Sequence, residues 1–105
     1  MAEKKITKTK LPKKVNVLGH DWKVEVVHPR VFEDKRLGEA EYPKRIIRIG
    51  KHTPLDMRWP IFLHELKHAY DYESGMCQIL DRQAEEIQAD NFATFIMSLQ
   101  KQGVL

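Results

Sequence analysis

The run His64-Glu65-Leu66-Lys67-His68 sets two imidazoles four residues apart, with a carboxylate directly after the first. On a helix, positions i and i+4 share one face, about 6 Å apart along the axis. Two rings there can converge on one ion with Zn–N bonds of about 2.0–2.1 Å. Glu65 is turned about 100° from His64. It flanks such an ion instead of binding it, and can accept a proton from a metal-held water. The run fits H-E-x-x-H on a helix. Leu66 falls on the face that packs into a core. Without a metal, the same residues would be a surface helix carrying a histidine pair.

A catalytic zinc needs three protein ligands and one open position. No histidine follows His68, and Asp71 and Ser74 stand where the longer pattern H-E-x-x-H-x-x-G-x-x-H needs glycine and histidine. Asp71 shares the face of the two histidines, one turn further along. Its short side chain suits it to bracing a ligand from behind more than to reaching the ion.

The third ligand must therefore come from another segment, and QAEEIQAD offers Glu85 and Glu86. On a helical wheel Glu86 falls with Ala89, Asp90, Ala93 and Met97. Alanines on that stripe let this helix approach the HELKH helix closely. Glu85 points instead toward the side of Ala89, Phe92 and Ile96. Glu86 is favoured as third ligand, with Glu85 second. Asp90, one turn beyond Glu86, is placed to hold a metal-bound histidine through its distal ring nitrogen. Taken alone, this acidic run would only complement a helix dipole.

The elements that must position these residues are readable from periodicity. Val15–Leu18 precedes a Gly19-His20 turn, and Asp21–His28 alternates Trp22, Val24 and Val26 against Lys23 and Glu25, a strand with one buried face. Pro29 ends it, and residues 30–36 form an unassigned charged connection. Leu37–Tyr42 and Arg45–Gly50 flank a Pro43-Lys44 turn. In RIIRI, Ile46 and Ile47 point to opposite faces, so this strand reads as covered on both sides. Helical spacing then runs through Leu55, Trp59, Phe62, Leu63, Leu66, Ala69 and Tyr70, with Thr53-Pro54 as N-cap and N1. Pro60 either kinks this helix or lies in the first turn of its regular part. Ser74-Gly75 ends it, and a second helix spans Asp81–Lys101. Strands followed by helices give an α+β domain: a small antiparallel or mixed sheet of three to four strands packed on two main helices.

A chain of 105 residues is long enough for one domain and one modest core. The net charge is +3, but six lysines against Glu3 give residues 1–14 a balance of +5, which leaves −2 for the rest. The basicity thus belongs to a flexible lysine-rich tail over 1–14, ahead of one domain over 15–105. A solvated tail is favoured over one that attracts nucleic acid. No apolar run nears the roughly 18 residues that span a bilayer, so no membrane is expected. One cysteine, Cys77, and no secretory h-region fit a reducing cytoplasm. Cys77 reads as a small free hydrophobe. Trp22 and Trp59 read as core anchors, and His20 and His28 as surface residues at strand ends. Whether the chain is a monomer or a dimer is open.

HELKH followed by E-x-x-A-D-x-F-A (Glu86, Ala89, Asp90, Phe92, Ala93) resembles the ImmA/IrrE-type gluzincins, and is similar to small phage-encoded metallopeptidase-like proteins and to the minigluzincins. The resemblance extends upstream through LGEAEYPKRIIRI and covers roughly Val15–Leu99. It implies a minimal zincin-like scaffold, one zinc ion per chain on His64, His68 and Glu86, and Glu65 as general base. The expected activity is hydrolysis of a peptide or protein substrate. Zinc brings water to a pKa of about 7 and polarises the scissile carbonyl, and Glu65 moves the proton to the leaving amine. Arg45–Ile49 could bind an extended peptide at a sheet edge. Tyr72, Tyr42, His52 and Arg58 are candidates to stabilise the oxyanion, and Tyr72 is carried forward. The alternative is a metal-binding but inactive module that acts through a protein partner or nucleic acid.

Overall fold

The computed structural model describes residues 10–105. The expected tail therefore lies largely outside the described residues. Its last part is built into the sheet: Lys14 opens the first strand, and the Lys13 carbonyl accepts the Val24 N–H at 3.0 Å.

Strand β1 (Lys14–Val17) turns directly into β2 (His20–Val27). Leu18 and Gly19 both hold positive φ, 51° and 92°, as a two-residue hairpin requires. Asn16 braces the turn by accepting the Gly19 N–H at 2.9 Å. The turn thus falls on Leu18-Gly19, one residue before the expected Gly19-His20. After β2 a short 3-10 turn at Pro29–Val31 leads into the connection, and Phe32, 6% exposed, anchors it. Strands β3 (Gly38–Glu41) and β4 (Ile46–Gly50) follow.

The sheet runs β1-β2-β4-β3. The β1–β2 and β3–β4 pairs are antiparallel, but β2 and β4 pair in parallel, with Val24 opposite Ile47 and Val26 opposite Ile49. An antiparallel or a mixed sheet was expected, and the parallel pair makes it mixed. The connection after β2 carries the chain past the neighbouring position, and β4 folds back into the gap. The sheet is mixed, β4 is interior, and among the described residues β3 is an edge strand. This corrects the expectation that Arg45–Ile49 offers an edge to a peptide.

Only one face of β4 meets a core. Ile47 and Ile49 are fully buried there with Trp22 and Val24, while Ile46 is half-buried. The opposite face carries Arg48, bound by Glu39 at 2.7 Å, by Glu41, and more loosely by Glu25 at 3.8 Å.

Helix α1 (Leu55–Ser74) lies against the core face and runs without interruption through Pro60. Its N-cap is Pro54, one residue later than expected. The Thr53 hydroxyl caps nothing, and its Oγ1 is buried without a partner. Arg58 satisfies carbonyls ahead of the helix, donating to Lys51 O at 2.9 Å and Thr53 O at 3.2 Å. Gly75 ends α1 at φ 82°, a left-handed cap that glycine adopts without a Cβ penalty. Helix α2 (Arg82–Lys101) starts on Asp81, whose Oδ1 accepts the Ala84 N–H at 2.7 Å. Phe62, Leu63, Ala69, Ala89 and Ala93 complete the buried core, and Trp59 Nε1 donates to Gln100 across the two helices at 2.8 Å. The structure is thus an α+β fold, two helices on a four-stranded mixed sheet. Among the described residues no helix is long and apolar enough to cross a membrane.

Glu73 ties α1 to the sheet. Its side chain, 4% exposed, accepts from Trp22 Nε1 at 2.8 Å and from Arg45 Nε and Nη2 at 2.5 and 3.1 Å. The hydrogen-bonded Arg45 guanidinium holds this carboxyl below its ordinary value. Its stabilisation is full above the unfolded carboxylate pKa and drains away as pH falls through the lowered folded value. Glu73→Gln is expected to cost about 2 kcal/mol at neutral pH. The gap from wild type should narrow below about pH 4. Thermal unfolding of both proteins at neutral and acid pH measures it.

Candidate metal centre

The helical period of α1 places His64 and His68 on one side, and α2 crosses them closely because Ala89 and Ala93 are the buried residues at the contact, 0% and 7% exposed. Glu86 is thereby delivered to both rings. His68 Nε2 lies 2.8 Å from Glu86 Oε2, His64 Nε2 lies 3.2 Å from Glu86 Oε1, and the two Nε2 atoms are 3.3 Å apart. Tetrahedral bonds of about 2.0–2.1 Å place neighbouring donors about 3.3 Å apart. The three observed separations are close to that edge. His64, His68 and Glu86 form a group that could hold a metal ion.

The outer nitrogens explain why the inner ones converge. His64 Nδ1 meets Asp90 Oδ1 at 2.8 Å. A carboxylate only accepts, so the ring proton belongs on Nδ1, and a neutral His64 turns the Nε2 lone pair inward. Burial holds the His68 pKa down and keeps that ring neutral. With both lone pairs turned inward, the two rings and the carboxylate form a group that could hold a metal ion.

Asp71 is wholly buried. One of its oxygens takes the Lys67 ammonium at 2.5 Å, and Oδ2 has no partner. Asp71, His68 and Glu85 form a second convergent group. The Lys67 ammonium already supplies a cation there, which disfavours a metal. Glu85 stands on the far side of the His68 ring, its Oε1 4.0 Å from His68 Nδ1. Glu86, not Glu85, therefore faces both Nε2 atoms.

Glu65 sits beside this centre, 7% exposed. Burial, and next the nearby Glu86 charge, push its carboxyl up to about 8, with Arg36 pulling the other way. Edge strand β3 runs over it at very close range: a Cβ on Gly38 would stand 2.8 Å from Ile61 Cγ2 and 3.3 Å from Glu65 Cγ. An open cleft of about 410 Å³ is lined by Gly38, Glu39, Ala40 and Tyr42 of the β3 hairpin, by His64, Glu65 and His68 of α1, and by Arg82, Glu85 and Glu86 of α2. Asp34 and Arg36 also line it. Arg36 is clamped by Asp34 through Nε and Nη2 at 2.8 and 2.9 Å.

Tyr72 does not line the cleft. Its ring is taken up in stacking under Tyr42 and edge-on against Trp22, so the hairpin tyrosine reaches the opening and the helical one does not. Gly38 and Arg36 were not singled out from sequence. A glycine opening a strand was the available signal for the first, and nothing local marks the second. Asp90→Asn is expected to weaken metal binding about 10–100-fold, since it loosens the His64 ring without removing a ligand. Competition against a chromogenic zinc chelator measures this.

Comparison with family models, with curated proteins and with solved structures finds no match for the chain.

Proposed function

We propose that the protein is a zinc-dependent endopeptidase of gluzincin type on a minimal zincin-like scaffold. The observation that carries this reading is the convergence of His64 Nε2, His68 Nε2 and a Glu86 oxygen in an open cleft, with the buried Glu65 carboxyl alongside. Two imidazoles and one carboxylate are a donor set that suits zinc and leaves a position open. Zinc there supplies Lewis acidity and brings water into the titration range of neutral pH.

The chain's own residues do the rest. Glu65 takes the proton of the attacking water and returns it to the leaving amine. Its surroundings favour the protonated form, and a dication at the adjacent donors favours the ionised one, so the group is poised to move a proton near neutral pH. Asp90 fixes the His64 ring through Nδ1. The edge of β3 offers main-chain donors and acceptors to an extended peptide laid across the cleft.

Glu86 and Asp90 are half or more exposed, and this shallow centre supports a second reading, a metal-binding module that docks a partner without cleaving it. Incubating the zinc-loaded protein with denatured casein separates the two. Cleavage that stops with a chelator and returns with zinc supports the enzyme, and intact casein with zinc bound supports the module.

A further inference from the structure

Attack of water on a peptide carbonyl leaves negative charge on the carbonyl oxygen, and a hydrogen-bond donor aimed at that oxygen is among the largest contributions a protein makes to such a reaction. Four side chains were open for this part from sequence. The Arg58 guanidinium is spent on the Lys51 and Thr53 carbonyls. His52 lies in the turn after β4, packed beside Gly50, and like Tyr72 it is not part of the cleft wall. Tyr42 remains, on the same cleft as His64, Glu65, His68 and Glu86.

Its ring is held in a stack. The Tyr42 ring stacks on Tyr72 with centroids 4.4 Å apart and planes 22° from parallel. Tyr72 meets the wholly buried Trp22 edge-on at 6.3 Å, and the Arg45 guanidinium lies 5.8 Å from its centroid. Arg45 and Trp22 are both fastened to Glu73. A continuous stack thus runs from the core to the cleft, with a phenol at its outer end. Tyr42 directly follows β3, the strand that offers its edge to the peptide.

We infer that Tyr42 is a catalytic residue whose phenolic O–H donates to the developing oxyanion of the scissile carbonyl; this rests on the peptidase reading above. Partial burial, and next the nearby Glu85 carboxylate, raise the phenol pKa. The hydroxyl keeps its proton and is a donor, not a phenolate ligand. No bond to Tyr42 forms or breaks, and the proton traffic stays between water, Glu65 and the amine.

The test is steady-state cleavage of fluorescein-labelled casein by the zinc-loaded full chain and by Tyr42→Phe, with zinc content and thermal midpoint measured on both. Phenylalanine keeps the ring and the stack and removes only the donor. The expected result is a kcat about 100-fold lower, with KM changed by less than about twofold and zinc and midpoint unaltered. A kcat within about threefold of wild type, or a loss carried by KM instead, overturns the role of Tyr42 and leaves the peptidase standing. Loss of zinc from Tyr42→Phe also overturns it, since the residue would then be structural to the centre. Casein left uncut by zinc-loaded wild type removes the proposed hydrolysis, and this assignment with it.

Discussion

Glu65→Gln is expected to lower kcat on casein by about 10³-fold while the protein keeps its zinc. Glutamine matches glutamate in shape and cannot take the proton of the attacking water. The site tolerates it well. Glu65 is 7% exposed and held largely by burial, so a neutral amide there carries none of the desolvation cost of an ionised carboxylate. The thermal midpoint should therefore not fall. Casein assays and elemental analysis of the same preparation read both halves. Activity within about tenfold of wild type would show that Glu65 is not the base.

Zinc is expected to stabilise the wild type strongly and His68→Ala hardly at all. An ion that binds only the folded state adds about 2.7 kcal/mol when present at about 100 times its dissociation constant. For a domain of this size that is a rise of about 10–20 °C in midpoint. His68 joins both other members of the candidate centre, lying 2.8 Å from Glu86 and 3.3 Å from His64 through one nitrogen. Truncating it leaves two donors and a gap in the cleft. Thermal unfolding with zinc and with chelator, on both proteins, measures the difference.

The contrast between legible and illegible parts follows the range of the forces involved. His64 and His68 share a face because the helical period is local, and the Ala89–Ala93 stripe marks where a second helix can come close enough to deliver Glu86. Both are readable in a few turns of sequence. The parallel pairing of β2 with β4 is not, since it depends on where a ten-residue connection lands. RIIRI carries the same pattern at an edge or in the middle of a sheet. That one non-local choice moved the edge from β4 to β3, and with it Gly38 against Glu65. Leu18 at positive φ has no propensity signal, because leucine ordinarily avoids that conformation. Tyr42 and Tyr72 are equal as residues. Only the hairpin folding back over α1 puts one ring in the cleft and the other beneath it.

The most direct measurement is the metal content of purified wild type beside His68→Ala and Glu86→Gln, by elemental analysis after purification without chelators. About one zinc per chain in the wild type, and less than about a tenth of that in each variant, is the expected result. No metal in the wild type, and none taken up when zinc is added, would contradict the account and leave His64, His68 and Glu86 as an ion-pair cluster between two helices.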